Sequence, residues 1–336
     1  MAGPFDYGIV GFGIAGQLLV LELLQRNISP EKIIVFDENF LGGALVTHYG
    51  EVTSNTPWEK TRRALAEYPL WSTQVLQKGD QAFQLHQCMP VSTIARYCLD
   101  VATQASFTVE KLTTRVKAIE QQQTPDSGVW TVTHTFGSQK VKKLFLCHGA
   151  QEKGFELCLP RLPLTIALDK TALAKHVTTS DSILVFGLAH SGTIILKHLG
   201  ELMVPTIAVY NTPQPFMYAR DGEYDGIKED SAVAADTILA GKYPCIRLQK
   251  FEETFPLLNA VRKATKVIYA TGFTANILDG QPTVYDSTTA TLGQNLFGYG
   301  IAFPGITELN GKKYVDVSVL SFQEQIRRTL PIIIGV

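Results

Sequence analysis

The chain has 336 residues, with 30 Lys+Arg against 31 Asp+Glu and a formal net charge of −1. That length accommodates two domains with substantial cores, and the balanced charge offers no basic field for nucleic acid or an anionic membrane. Five cysteines, at 88, 98, 147, 158 and 245, are scattered without a Cys-x-x-Cys pair, a pattern of reduced cytoplasmic thiols that argues against a disulfide framework or a dithiol reductase.

The first predicted element is an apolar strand, Tyr7–Val10. It leads through Gly11-Phe12-Gly13-Ile14-Ala15-Gly16 into a helix over Ala15–Arg26 and a strand over Lys32–Phe36. Ile14, Leu18 and Leu21 recur at helical spacing, and Ile33-Ile34-Val35-Phe36 is the continuous run of a parallel strand buried on both faces. The stretch Ile9–Leu24 imitates a signal peptide, but it lacks a basic leader and its glycines fall where a strand–turn–helix needs them. No other segment reaches the roughly 18 consecutive apolar residues of a membrane span, so a soluble, cytoplasmic protein is expected. The glycines form a dinucleotide-binding fingerprint. Gly11 permits the tight turn, Gly13 lets the backbone approach a pyrophosphate, and Gly16 lets the helix pack on the strand. The pyrophosphate would rest on the helix N-terminus, which begins at Ile14 and Ala15. Asp37, with Glu38 beside it, ends the second strand where a carboxylate binds ribose hydroxyls.

Residues 44 to about 90 are mixed. They follow the loop Gly42-Gly43 and contain Ser54-Asn55-Thr56-Pro57, then a polar helical stretch from about Glu59 to Tyr68. Pro90-Val91-Ser92 opens a helix running to about Ala105. Strand patterns cover Phe107–Leu112, Arg115–Gln121, Val129–Phe136 and Lys140–Leu146, and turn signals at 125–128 and Gly137-Ser138 make the last three a β-meander. Leu144–Leu146 returns to the main sheet before Cys147-His148-Gly149-Ala150. The proline-rich crossing at 159–163 marks a domain boundary.

A second fingerprint, Gly187-Leu188-Ala189-His190-Ser191-Gly192, stands between the strand Ile183–Phe186 and a helix over Gly192–Leu202, with the strand Thr206–Tyr210 after it. Ala189 replaces the middle glycine, so its methyl crowds a pyrophosphate, while the Ser191 hydroxyl can donate to a phosphate. Asn211 occupies the place of the ribose-binding acid, and no adjacent Arg claims a 2′-phosphate, so NADPH and NADH both stay open. The loop from Asn211 to about Gly226 leads into the acidic stretch Asp221–Asp230, a solvated loop or a mobile lid. A helix near Asp230–Leu239, strands around Cys245–Phe251, the strand Lys266–Ala270, a Gly-rich tail from Gly293 to Gly305 and a helix around Ser321–Arg328 complete the chain.

The order of Gly11–Gly16, Asp37, Gly42-Gly43, Ser54-Asn55-Thr56-Pro57, Gly187–Gly192 and Ala270-Thr271-Gly272-Phe273 resembles the flavin-containing (class B) monooxygenases. More broadly it resembles the flavoproteins with two dinucleotide-binding domains. The resemblance implies an α/β fold of two Rossmann-like domains, the second inserted in the first, with a β-meander. The FAD-binding domain would comprise 1–158 and 262–336, and the NAD(P)-binding-like domain 159–261. FAD would contact Gly11, Gly13, Ile14, Ala15, Gly16, Asp37, Glu38 and Gly43. NADPH or NADH would contact Gly187, Ala189, Ser191, Gly192 and Asn211, with Thr271 and Gly272 near the junction of the two.

Asn55 becomes the candidate catalytic residue, since the resemblance places it beside the flavin. An amide can donate to a peroxide oxygen and accept elsewhere without carrying charge. Equally, an Asn before Thr56-Pro57 can cap a turn, and both readings stand at this stage. One departure matters: the monooxygenase signature Phe-x-Gly-x-x-x-His is absent, Leu164–Lys170 stands in its place, and neither His148 nor His176 restores the spacing.

The remaining candidates are weaker. The histidines include no His-x-x-x-His pair with a nearby carboxylate, so no metal site is expected. Ser191 lacks a Gly-x-Ser-x-Gly elbow. His190 either touches a phosphate or faces solvent, and Cys147 is either a packed thiol or a redox group near the flavin. The resulting expectation is an FAD-dependent oxidoreductase, an NAD(P)H-dependent monooxygenase that oxygenates a small molecule through a flavin–oxygen adduct. Its partners would be that substrate and molecular oxygen, and its oligomeric state is not legible. Two alternatives stand beside it: a flavin oxidase or reductase of the same fold that stabilises no adduct, and a non-catalytic dinucleotide-binding redox sensor.

Overall fold

The first strand, Phe5–Val10, lies in parallel between Ile33–Asp37 on one side and Gly137–Leu146 on the other, in register Ile9↔Val35 and Ile9↔Phe145. The computed structural model describes residues 4–122, 128–219, 226–309, 311–315 and 317–335. The turn expected at 125–127 and residues 221–225 of the acidic stretch lie outside the described residues. Two compact units result. One comprises Met1–Gly50, Thr56–Ala150 and Ala275–Val336, the other Glu51–Asn55 and Gln151–Thr274.

In the first unit the sheet order is Thr291–Gly293, Leu296–Gly298, Gly137–Leu146, Phe5–Val10, Ile33–Asp37, Glu110–Thr113. The ten-residue strand Gly137–Leu146 serves two sheets' worth of partners. Its first half closes an antiparallel meander with Trp130–His134 and Val116–Gln121, and its second half enters the parallel sheet beside Phe5–Val10. The helix Ile14–Gln25 is buried along nearly its whole length, with Leu18, Leu19, Leu21 and Leu23 fully enclosed. It packs on the helices Val91–Ala105 and Val319–Ile334. Each enclosed leucine contributes on the order of 1.5–3 kcal/mol relative to exposure. Burial on all sides explains why the segment is as apolar as a signal peptide.

The second unit is a four-stranded parallel sheet, ordered Ile246–Lys250, Thr206–Tyr210, Ile183–Phe186, Lys266–Tyr269. Its longer helices are His190–Glu201, Glu229–Leu239 and Thr254–Lys263, with two single-turn helices, Leu164–Ala167 and Lys170–Leu173, before them. The boundaries differ from the expected 158/159 and 261/262, falling instead after Ala150 and after Thr274. The cause is strand pairing. Lys266–Tyr269 is hydrogen-bonded in register with Ile183–Phe186, and Leu162 N–H donates to Val267 O at 2.9 Å while Lys153 N–H donates to Gly272 O at 2.9 Å. The proline-rich crossing is therefore stitched to the second unit's edge strand. Among the described residues, no helix is long and apolar enough to cross a membrane.

Candidate dinucleotide sites

The two fingerprints fold into the same turn, contact for contact. Gly11 N–H donates to Phe36 O at 2.7 Å, and Gly187 N–H donates to Val209 O at 3.0 Å, each reaching the neighbouring strand of its sheet. Both glycines need the left-handed region, with φ of +97° and +91°. A Cβ on Gly16 would stand 2.0 Å from Gly11 O, and one on Gly192 would stand 1.9 Å from Gly187 O. No side chain fits there, so helix and turn pack backbone to backbone. The next residue ties each turn shut: Gln17 Nε2 donates to Phe12 O at 2.8 Å and Thr193 Oγ1 to Leu188 O at 3.1 Å.

The repeat extends further than the glycines. Cys147 N–H donates to Val10 O and its own carbonyl closes over Gly11; Ala270 N–H donates to Phe186 O and its carbonyl closes over Gly187. Each is followed, two residues on, by a glycine in the left-handed region, Gly149 at φ +74° and Gly272 at φ +90°. Cys147-His148-Gly149 and Ala270-Thr271-Gly272 are thus equivalent segments. Sequence reasoning missed this pairing, because the two triplets share only their glycine.

At the first turn, Gly13 ends in extended backbone (φ −70°, ψ −176°) and no side chain caps the helix that follows. A Cβ on Gly13 would find only Gly43 Cα, at 3.9 Å. Gly43, with φ +77°, could not carry a Cβ of its own without meeting Gly13 Cα at 2.9 Å. The uncapped amides at Ile14 and Ala15, the open approach over Gly13 and the dipole of a twelve-residue helix suit a pyrophosphate. Asp37 is fixed beside them. Its Oδ2 accepts from Phe12 N–H at 2.7 Å, and its Oδ1 accepts from Asn39 N–H at 3.0 Å and Phe40 N–H at 2.8 Å. A carboxylate has further lone pairs for a diol. Glu38 instead points to Arg115 at 3.6 Å and is largely exposed.

At the second turn, Ala189 takes nearly the backbone of Gly13, with φ −77° and ψ −166°. Glycine is therefore not needed there for conformation; the alanine methyl only narrows the approach. Ser191 is half-buried, and its hydroxyl has no hydrogen-bond partner among the described residues. Asn211 is exposed just beyond the strand Thr206–Tyr210. Thr271 spends its hydroxyl on Lys153 O at 2.7 Å.

His190 corrects its sequence expectation: it is neither solvent-facing nor free for a phosphate. Nε2 lies 3.0 Å from Thr53 O and Nδ1 lies 3.1 Å from Ser231 Oγ. Asn55 also differs from the turn-cap alternative, since it lies within a strand, Thr53–Pro57. Its Oδ1 is buried without a hydrogen-bond partner, and Glu51–Asn55 clusters with the second unit. Cys147 is fully enclosed and burial pushes its thiol far up, so it is a packed thiol and no redox nucleophile. Among the described residues, no three His, Cys, Asp or Glu side chains are grouped as metal ligands.

Residues 8–151 match the sequence model of a family described as FAD-NAD(P)-binding. Over these residues the chain matches an FAD-NAD(P)-binding domain. A cadaverine monooxygenase of desferrioxamine biosynthesis from Erwinia amylovora, solved with FAD, superposes with a TM-score of 0.67 at 11% identity, covering 100% of this chain and 95% of that one. Bacillithiol disulfide reductase from Staphylococcus aureus gives a TM-score of 0.64 at 10% identity, covering 99% of each chain. L-lysine 6-monooxygenase from Pseudomonas syringae gives 0.62 at 14% identity, covering 98% of each. No curated protein matches in sequence. The chain thus shares the fold of these two-dinucleotide-domain proteins, and its residues 8–151 match the FAD-NAD(P)-binding model.

Proposed function

We propose that the chain is an NAD(P)H-dependent flavin monooxygenase acting on a small molecule, with molecular oxygen as co-substrate. FAD sits on the first unit and the nicotinamide dinucleotide on the second. FAD, when bound, supplies a hydride acceptor and the centre at which oxygen is activated. Gly11, Gly13, Gly16 and Gly43 admit its pyrophosphate, the amides of Ile14 and Ala15 oppose the phosphate charge, and Asp37 accepts from ribose hydroxyls. Gly187, Gly192 and the Ser191 hydroxyl do the same for the second nucleotide, over the methyl of Ala189. Asn211 takes its ribose, and Thr271 and Gly272 shape the strand end next to the turn. Asn55 is the catalytic residue, an uncharged amide that donates to oxygen or substrate.

The observation that carries the choice of reaction is the state of the cysteines. A disulfide substrate is attacked by a thiolate. No disulfide joins any two of the five cysteines, and the exposed one, Cys158, lies in neither fingerprint turn. Cys147, which abuts the first turn, is sealed in, and burial pushes the Cys98 thiol up to about 12. The buried Asn55 Oδ1, without a hydrogen-bond partner, leaves an uncharged acceptor open in place of a thiolate. The absorbance spectrum of the purified protein, before and after anaerobic NADPH or NADH, tests the cofactors. Product analysis in air then tests the reaction. A yellow protein that bleaches and afterwards yields oxygenated product supports the proposal. Bleaching followed by hydrogen peroxide alone, with every amine, sulfide and carbonyl compound offered, assigns an oxidase or reductase instead. A yellow protein that neither nicotinamide bleaches assigns a sensor or a nicotinamide-independent oxidase. A colourless protein that cannot be reconstituted with FAD overturns the flavoenzyme altogether.

A further inference from the structure

His190 opens the helix His190–Glu201 at the second turn, where a side chain would be expected to reach a phosphate, yet both its ring nitrogens are engaged inside the second unit. Thr53 O can only accept, so Nε2 carries the proton and donates across 3.0 Å. Nδ1 then accepts, and Ser231 Oγ stands 3.1 Å from it. Burial lowers the ring's pKa, which favours this neutral tautomer. Ser231 is itself fixed as part of the capping box that opens the helix Glu229–Leu239. Its hydroxyl lies 2.7 Å from Lys228 O and receives Lys228 N–H at 3.2 Å. Its single proton therefore serves either Lys228 O or His190, and the bond to Thr53 is the firmer of the two.

Thr53 begins the strand that carries Asn55, and side chains two apart on a strand lie on one face. The flanking chain on both sides of Glu51–Asn55 belongs to the first unit, while these five residues cluster with the second. The His190–Thr53 bond spans 137 positions of sequence, and it joins this short segment to the fingerprint turn.

We propose that His190 is a positioning residue, a clasp that holds the Asn55 strand to the turn of the second fingerprint. The turn that would seat a nicotinamide dinucleotide, Gly187–Gly192, and the strand carrying the Asn55 amide are then tied by this one side-chain bond. Phosphate binding is left to the helix amides and Ser191. The inference rests on the assignments of Asn55 and of the second turn made above.

The test uses the FAD-loaded full chain and three variants. His190→Phe keeps the ring volume without a donor, His190→Asn is too short to reach Thr53 O, and His190→Gln restores an N–H at similar reach. Hydrogen exchange over residues 51–57, read without nucleotide, should quicken about tenfold in His190→Phe and His190→Asn and stay within about twofold of the wild type in His190→Gln. With NADP+ added, wild type and His190→Gln should gain protection at both 187–193 and 51–57, whereas the two loss variants gain it at 187–193 alone. In steady state, kcat for NADPH oxidation should fall about tenfold in the loss variants while KM moves less than about twofold. Unchanged exchange at 51–57 in both loss variants overturns the clasp, as does failure of His190→Gln to restore it. If neither NADP+ nor NAD+ protects 187–193 in the wild type, the second-site assignment fails instead. The nucleotide-free exchange at 51–57 still decides the clasp in that case.

Discussion

Asp37 and Glu38 are neighbours of the same chemistry with different fates. Three backbone amides aim Asp37 across the first turn, while Glu38 is turned outward to Arg115. Asp37→Ala should weaken FAD binding about tenfold to a hundredfold, since it removes a charged acceptor and strands the donors that held it, a loss of roughly 1.5–3 kcal/mol. Glu38→Ala should shift it less than about twofold, because an exposed ion pair contributes little. Fluorescence titration of apoprotein with FAD separates them, and equal effects would mean the turn is not the adenosine site. Ala189→Gly makes a second residue-scale case. Its backbone is already that of Gly13, so the change removes only a methyl over the pyrophosphate path. NADP+ should bind several-fold tighter, on the order of 1 kcal/mol, by equilibrium titration; weaker binding would place the phosphates elsewhere. Both turns and Asp37 were legible in sequence because one local stretch of chain fixes their geometry. The His190–Thr53 bond and the Cys147 and Ala270 carbonyls were not, since their partners stand far away in sequence.

Elements were legible where packing follows a simple period. The strands Ile183–Phe186 and Thr206–Tyr210 fall where their apolar runs predict, and the helix Val91–Ala105 starts at the Pro90 signal. The helix Pro69–Ala82 was passed over, and Gly79 shows why. A glycine in a helix interior reads as a breaker, yet here the Trp58 ring fills the space a side chain would take. A Cβ on Gly79 would stand 2.2 Å from Trp58 Cζ2. Trp58 is fully buried and its Nε1–H is held by Asp80 Oδ1 at 2.8 Å, so the ring cannot retreat. In an open helix, Gly→Ala stabilises by up to about 1 kcal/mol. Gly79→Ala should instead destabilise by roughly 1–3 kcal/mol through overpacking. Urea unfolding with an unchanged m-value checks the sign; a stabilised variant would mean that Trp58 shifts freely. The helix Thr254–Lys263 was missed although Leu257, Ala260 and Val261 form an apolar stripe against the second unit's core, because Pro256 within its first turn and the short ten-residue span read as a loop.

The domain boundaries belong to the scale of the whole molecule, and there the sequence misled. Prolines at 160 and 163 look like a linker, but long-range strand pairing decides which sheet owns a segment. Acid stability is a property of the same scale, because it sums groups across both units. Burial lowers the pKa of His134 and His148 in the first unit and of His190 and His198 in the second. Unfolded histidine titrates near 6.5, so below about that pH the unfolded chain takes up protons that the native rings refuse. Stability should therefore be complete above about pH 6.5 and fall as pH drops towards about 5. A separate limb follows from the carboxylates. Asp181, held by Lys266, Thr265 and Thr178 N–H, has its pKa drawn down to about 2, and Asp6 is lowered by Lys142 and Lys32. Their stabilisation is present above about pH 4 and is lost as pH falls through their native values. Urea midpoints between about pH 7 and pH 3 should thus fall in two steps. His148→Gln should shrink the first step and leave the second, while Asp181→Asn should do the reverse. A profile that is flat from about pH 7 to pH 5 would show that the buried imidazoles accept protons in place, and that these rings sit in wetter surroundings than their packing implies.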